Sequence, residues 1–317
     1  MAHEIEKHDV TVFGNNQPAW HGLGTVFPGL MSPLRVFAEG VGMREITQSP
    51  VFTADGLQVD GYKALTGTTA KGQLVPLSVV GEDYTVLQDS RTFEFLEALY
   101  GGQAVVETAG TLRNGRRLWV LVKRKAWSVV TGDVVYSYDL WVNRHDGSGC
   151  FELHRVNVRV VCANTLKMAI GRGRNRVFGV RHTSGMDGQI AQALNLLQVL
   201  ANEEEEHQRQ TIKLAQTAMA HSEAKAFLSE LLEIKSEDDA STRTKGVRDE
   251  MLTLFHRGTG NLGRTRWDAL NGVTEYVDHS RSVRTVGGRN RAEVRMESAL
   301  FGTGDTLKDK AFALLTA

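Results

Sequence analysis

The side chains with the clearest chemical potential are basic, and they are concentrated between residues 111 and 182 of the 317-residue chain. This segment holds 14 Lys and Arg against 4 Asp and Glu, whereas the whole chain has no net charge. Basic side chains two residues apart on a strand share a face and form a row of phosphate contacts. The candidate DNA-binding residues are Arg113, Arg116, Arg117, Lys123, Arg124, Lys125, Arg155, Arg159, Lys167, Arg172, Arg174 and Arg176.

Acidic segments elsewhere in the chain balance this charge. Residues 1–110 have a net charge of −7, and residues 201–255 have a net charge of −5. Such segregation is typical of a protein with a basic surface for polyanions and acidic surfaces that face neighbouring subunits. It is equally typical of basic side chains that pair with the acidic segments on a solvated sheet face, so both interpretations stay open.

Aromatic side chains are interleaved with the basic ones. They are Trp119, Trp127, Tyr136, Tyr138, Trp141 and Phe151. Stacking of a base on an aromatic ring contributes about 1–3 kcal/mol and tolerates any sequence, so a basic groove with aromatic platforms suits a single strand. Aromatic residues on strands are also usual core residues, and we expect Trp119 and Trp141 to be buried.

Motifs for bond chemistry are absent from the sequence. It contains no Gly-x-Ser-x-Gly elbow and no phosphate-binding GxxxxGK[ST] loop, and neither Cys150 nor Cys162 lies in an activating motif. We therefore predict no enzymatic activity and no cofactor. An alternative is a metal-dependent enzyme that uses Glu275, Asp278 and His279, with His21 as a further candidate ligand, although the first three residues also suit the end of a helix.

Composition predicts a folded, cytoplasmic protein. Hydrophobic residues make up 41% of the chain, but no apolar run reaches the length of a membrane span. The first ten residues contain neither a basic nor an apolar leader segment, and two cysteines are typical of a reducing compartment. We expect no membrane association.

Hydrophobic patterning predicts an α+β fold in which an antiparallel β-meander is followed by a helix. The predicted strands are 111–122, 133–142 and 150–161, with turns at Asn114-Gly115 and Asp146-Gly147. Near-alternation in the third strand predicts one buried face and one wet, basic face. A helix beginning at Asn164 or Thr165 would complete a β-β-β-α core.

The flanking regions differ from this core. The N-terminal part is predicted to be β-rich, with one helix over 89–100, and the C-terminal half is predicted to be helical. The predicted helices there cover 187–220, 222–234, 246–256, 265–279 and 291–300, followed by a short tail. The predicted domains are a β-rich part over 1–100, a basic meander with a long helix over 101–234, and a helical part over 246–317.

Three sequence blocks resemble a family of phage and plasmid-like proteins, a domain-of-unknown-function family of mycobacteriophages and actinobacterial mobile elements. The blocks are Pro18–Gly24 (PAWHGLG), Arg159–Leu166 (RVVCANTL) and Trp267–His279 (WDALNGVTEYVDH). The resemblance implies a mobile-element origin and no settled activity. Glycines in Trp20-His21-Gly22-Leu23-Gly24 favour a tight turn with a folding role.

The middle of the chain also resembles ring-forming single-strand annealing proteins of the Redβ/RecT type, in element order and charge. That resemblance implies ATP-independent annealing in DNA recombination, with basic residues of a hairpin and the following helix on the DNA backbone. It further implies single-stranded DNA as partner and a homo-oligomeric ring or filament. The alternative is a phage protein-interaction or host-takeover and anti-defence factor that binds no DNA.

Overall fold

The protein is described by a computed structural model that covers residues 12–13, 25–103, 105–159, 164–167, 177–191, 201–238, 240–285 and 291–317. Packing divides the described residues into two units. The first unit takes its residues from Met1–Arg124, Tyr138–Arg155 and Arg176–Val199. The second takes its residues from Lys125–Ser137, Val156–Asn175 and Leu200–Ala317.

Eleven strands are found in the described part of the chain. They are β1 Val12–Phe13, β2 Thr25–Val26, β3 Glu45–Phe52, β4 Gln58–Thr68, β5 Leu74–Gly81, β6 Val105–Leu112, β7 Arg117–Val130, β8 Asp133–Arg144, β9 Phe151–Arg159, β10 Asn164–Lys167 and β11 Phe178–Val180. The larger sheet has the order β10-β9-β8-β7-β6-β1-β2, and β11 pairs with β9. A separate sheet has the order β3-β4-β5.

The described helices are mostly in the C-terminal half. They are α1 Pro33–Ala38, α2 Asp89–Leu99, α3 Met186–Ala191, α4 Ala201–Gln216, α5 His221–Leu231, α6 Thr242–Arg257, α7 Arg266–Glu275, α8 Arg291–Phe301 and α9 Thr303–Thr316. A π-helical turn, Tyr276–Ser280, continues α7.

In the first unit, α2 lies against the central strands of the larger sheet. Its residues Phe93 and Leu96, spaced three apart on one helix face, are fully buried. They belong to one core with Leu118 and Val120 of β7, which alternate along the strand, and with Trp141 of β8. This packing fixes the N-terminal end of β7, directly after the β6–β7 turn.

In the second unit, α6 and α7 pack closely at Gly272. A Cβ atom at this position would lie 2.9 Å from the carbonyl oxygen of Met251, so only glycine permits this approach. Trp267, at the start of α7, donates its indole N–H to Asp133 Oδ2 over 2.9 Å. The third sequence block therefore has a packing role at both residues.

The α+β class is confirmed, since the structure combines antiparallel sheets with many helices and the N-terminal half is rich in strands. Residues 164–167 do not begin a helix. They form β10, whose residues pair with β9 in the register Asn164 to Arg159 and Lys167 to Val156. The free edge of β9 offers hydrogen bonds to this segment, and these outweigh its capping residues.

Two further elements differ from the sequence prediction. The Asn114-Gly115 turn lies between β6 and β7, so the run predicted as one strand over 111–122 belongs to two. The C-terminal residues form α9 instead of a tail, and Ala311, Phe312 and Leu315 of this helix are buried. Part of the long helix predicted over 187–220, residues 192–200, lies outside the described residues.

Candidate nucleic-acid interface

The turn between β6 and β7 presents accessible arginines of the basic segment. Arg113, Asn114 and Gly115 have φ values of 56°, 55° and 78°, so three successive residues adopt the left-handed conformation that reverses the chain. Asparagine and glycine adopt it most readily, which explains the sequence of the turn. The Arg116 side chain is exposed, and that of Arg113 is 40% exposed.

Asp146 lies beside these arginines. Its Oδ2 atom is 3.6 Å from Arg113 Nη1 and 3.9 Å from Arg117 Nη2. Burial alone would raise the pKa of Asp146, but hydrogen bonds from Ser148 and the charges of Arg117 and Arg144 outweigh burial and hold this pKa below its usual value. Arg117 is 4% exposed, so its charge is committed to the interior.

A second buried carboxylate follows on β9. Glu152 Oε2 lies 3.2 Å from Arg144 Nη2 and 2.8 Å from His154 Nε2. Burial opposes ionisation, yet the hydrogen bond from His154 and the charge of Arg144 lower the pKa of Glu152. Near the turn, arginines therefore outnumber the carboxylates of Asp146 and Glu152, and the net charge of these side chains is positive. The arginines are Arg113, Arg116, Arg117 and Arg144.

Arg124 and Arg155 share a third carboxylate, Asp139 of β8. Arg124 Nε is 3.6 Å from Asp139 Oδ2, and Arg155 Nε is 3.5 Å from Asp139 Oδ1. Tyr100 donates its hydroxyl to Asp139 Oδ2 over 2.7 Å and accepts a hydrogen bond from the Trp141 indole. Arg155 and Asp139 are 2% and 1% exposed, so this network stabilises the interior.

The remaining candidate residues have different positions. Lys123 Nζ lies 3.6 Å from Glu107 Oε2 and is partly exposed. Lys125, in the second unit, has an exposed side chain. Arg159 and Lys167 end β9 and β10, but their side chains lie outside the described residues, as do Arg172, Arg174 and Arg176 entirely.

The wet face predicted for the third strand is not found. Glu152, His154, Arg155 and Asn157 of β9 are all buried, so both faces of this strand are covered. Alternation of apolar and polar residues indicates exposure only when the polar side chains have no internal partners. Here carboxylates of Asp139 and Glu152 supply those partners.

Most of the predicted stacking platforms are core residues. Trp119 and Trp141 are buried, which confirms the expectation for both, and Tyr138 and Phe151 are buried as well. Trp127, in the second unit, is half-buried and donates its indole N–H to Ser137 Oγ over 3.1 Å. The aromatic residues inside the first unit therefore hold the sheet together.

A buried polar cluster that sequence reasoning missed supports the turn. The backbone N–H of His145 donates to the Arg116 carbonyl over 2.7 Å, and its Nε2 atom is 2.8 Å from Asp89 Oδ1. Both side chains are completely buried. Asp89 is the first residue of α2, which is preceded by Gln88 without a side-chain cap, and the Asp89 carboxylate accepts the Met43 N–H.

His182 lies next to this cluster. Its ring stacks on Tyr84 with centroids 4.8 Å apart, and it faces the His145 ring at 6.4 Å. Burial, and secondly the nearby His145, lower the pKa of His182 from 6.5 to about 4. Its imidazole is therefore neutral at physiological pH and acts as an interior residue.

The residues considered for a metal site have structural partners. Glu275 accepts the Thr259 backbone N–H over 3.0 Å, and Asp278 pairs with Lys308 Nζ over 2.9 Å. His279 is exposed. An ammonium group at this distance from Asp278 neutralises the carboxylate that a cation would need.

Two other sequence features complete the comparison with the structure. Cys150 is buried, and its thiol donates to Glu152 Oε1 over 3.3 Å. Cys162 and the segment Trp20-His21-Gly22-Leu23-Gly24 lie outside the described residues.

No helix among the residues that the structure describes has the length and apolar character needed to cross a membrane.

Comparison with known proteins gives one match. A family model described as a domain of unknown function, DUF932, matches residues 76–300. This range includes β6–β9, the β6–β7 turn and the carboxylates of Asp139, Asp146 and Glu152. Neither a curated protein nor a solved structure matches the chain.

Proposed function

The chain belongs to the DUF932 family, a domain of unknown function, and we propose that it binds single-stranded DNA at the β6–β7 turn. The observation that supports this proposal is the accessibility of Arg113 and Arg116 in a region where arginines outnumber carboxylates. Positively charged side chains on a turn bind phosphates and read no base sequence.

The proposal narrows the set of contact residues. Arg117 and Arg155 are buried ion-pair members, so we assign them to the fold. Arg113 and Arg116 are the primary contacts, and Lys123, further along β7, is secondary. Arg124 belongs to the Asp139 network, so we assign it to the fold as well. Lys123 lies six positions after Arg117, the first residue of β7, which corresponds to about 20 Å of strand. A strand of DNA along this segment would contact several successive phosphates.

Annealing of complementary strands is the activity that we connect with this binding. A hairpin with exposed arginines fits the resemblance to single-strand annealing proteins, in which a basic hairpin holds the DNA backbone. In this proposal the protein of a phage or related mobile element acts in the host cytoplasm as a homo-oligomeric ring or filament, in DNA recombination. No nucleotide hydrolysis is required, because strand pairing releases the free energy.

Fluorescence anisotropy with a labelled single strand tests the proposal. We expect binding at low salt, and we expect log K to fall linearly with log salt concentration, because each neutralised phosphate releases condensed counterions. A slope of about −0.7 for each phosphate contact is typical of single strands. Absence of binding at low salt would disprove the proposal.

A second candidate function has its own observation. The three-stranded sheet and its β3–β4 loop expose large apolar side chains, each at least 55% exposed: Phe52, Leu57, Tyr62, Leu74 and Val79. Groups of exposed apolar residues mark protein contacts, which favours a protein-interaction or host-takeover factor. Partners captured from host lysate that survive nuclease treatment, together with absent DNA binding, would favour this alternative.

A further inference from the structure

A pocket in the second unit has a basic lining. It has a volume of about 290 Å³ and lies between α4, the first residue of α7 and the end of α9. Arg209 and Lys213 of α4 and Arg266 of α7 line it, together with one acidic side chain, Glu206. Glu206 Oε2 already pairs with Arg209 Nη2 over 2.8 Å. The lining side chains therefore carry two more positive than negative charges.

The position of Arg266 is fixed by its surroundings. Its backbone N–H donates to the Thr217 carbonyl over 3.0 Å, which joins the end of α4 to the start of α7. Its Nη1 atom donates to the Leu315 carbonyl of α9 over 2.7 Å. A guanidinium has five N–H donors, so this contact orients the group and leaves others for a ligand. A held arginine binds an oxyanion with little loss of conformational entropy.

Lys213 supplies a second cation with different surroundings. Its side chain is exposed on α4, and it forms no ion pair within the residues that the structure describes. Next to it, Leu214 is 2% exposed, and Leu315 across the pocket is 3% exposed. The two leucines form a small apolar wall beside the cations, in a pocket whose lining is otherwise mostly polar.

We propose that this pocket binds a small molecule that carries a phosphate monoester. A phosphate monoester has a charge of about −1.5 to −2 at pH 7, which matches the positive excess of the lining. Its oxygens accept paired hydrogen bonds from an arginine, and the apolar wall accommodates the organic part. The volume is close to the lower limit of about 300 Å³ for ligand pockets, which favours a compact molecule. This site is independent of DNA binding at the β6–β7 turn.

Isothermal titration calorimetry of the full chain with phenyl phosphate tests the proposal, with phenol as the phosphate-free control. We expect saturable binding of phenyl phosphate and no saturable binding of phenol. Lys213→Ala should weaken phenyl phosphate binding about tenfold, because one charge-assisted hydrogen bond is lost. Arg266→Lys should weaken it as well, because lysine keeps the charge but loses the paired geometry.

Two matched variants locate the site. Lys235→Ala removes an exposed lysine of the same unit that does not line the pocket, and it should leave the affinity unchanged. Arg116→Ala, on the β6–β7 turn, should also bind phenyl phosphate normally, which separates this site from the DNA contact. Circular dichroism confirms that each variant is folded. Absence of saturable binding at millimolar phenyl phosphate, or equal affinity of Lys213→Ala and the unmodified protein, would overturn the proposal.

Discussion

Arg116 and Arg117 are neighbours in the chain but occupy opposite environments. Arg116 is exposed on the β6–β7 turn, whereas Arg117 begins β7 and is 4% exposed beside Asp146. Arg155 on β9 is likewise buried beside a carboxylate, that of Asp139. The difference shows that the net charge of a segment does not tell which cations are available. Availability depends on where the few carboxylates of the segment lie.

Most of those carboxylates lie next to arginine side chains. Residues 111–182 contain four acidic residues, and three of them, Asp139, Asp146 and Glu152, lie within 4 Å of arginine side chains. Asp139 and Asp146 compensate the buried cations Arg155 and Arg117, which would otherwise be costly to desolvate. The arginines of the turn whose side chains remain accessible, Arg113 and Arg116, are then the ones that can meet a polyanion. The comparison therefore separates a structural set of cations from an accessible set.

Loss of a buried cation should have the largest effect. Arg155→Ala leaves Asp139 with less compensation in the interior, so we expect the free energy of unfolding to fall by about 3–5 kcal/mol. Urea denaturation followed by tryptophan fluorescence measures this change. Lys71→Ala, which removes an exposed cation of the β4–β5 turn, is the control and should change stability by less than about 0.5 kcal/mol. Equal stability of the two variants would show that Arg155 is not a structural cation.

Protonation of the buried interior should have the next largest effect. The unfolded chain binds a proton at His182 below pH 6.5, whereas the folded protein does so only below about pH 4. Neutral His182 therefore makes its full contribution to the free energy of unfolding above pH 6.5. This contribution is lost as the pH falls toward 4, which lowers the free energy of unfolding by a total of about 3 kcal/mol.

His182→Phe tests this pH dependence. Phenylalanine keeps a ring against Tyr84 but does not titrate, so the variant should lose about 3 kcal/mol less stability between pH 6.5 and pH 4. Urea midpoints at several pH values supply the measurement. Identical pH profiles would mean that His182 does not stay neutral in the folded interior.

Local sequence signals predicted much of the fold. Asn114-Gly115 predicted the β6–β7 turn because both residues adopt positive φ readily, and the repeat of Phe93 and Leu96 predicted α2. The burial of Arg155 had no such signal, because its partner Asp139 is distant in sequence. Likewise, the role of Asp89 depends on Met43 and His145, which only the tertiary fold brings to it.

The candidate interface was predicted only in outline. The charge count located the basic segment, and the turn residues Arg113 and Arg116 were among the candidates. Sequence alternation in β9 suggested a wet basic face, whereas internal ion pairs cover it. Pairing across strands, which decides exposure, is not encoded in local spacing.

Arginines of the accessible set should have the smallest effect on stability and a selective effect on binding. The double variant Arg113→Ala/Arg116→Ala should keep its free energy of unfolding within about 0.5 kcal/mol, because both side chains are at least partly exposed. Two lost phosphate contacts should reduce the magnitude of the salt slope by about 1.4.

The salt dependence of single-stranded DNA binding by this double variant is the most direct test of the account. We expect about tenfold weaker binding at low salt and the shallower slope, while Lys71→Ala keeps the affinity and slope of the unmodified protein. A double variant with unchanged affinity and slope would contradict the assignment of the β6–β7 turn as the DNA contact.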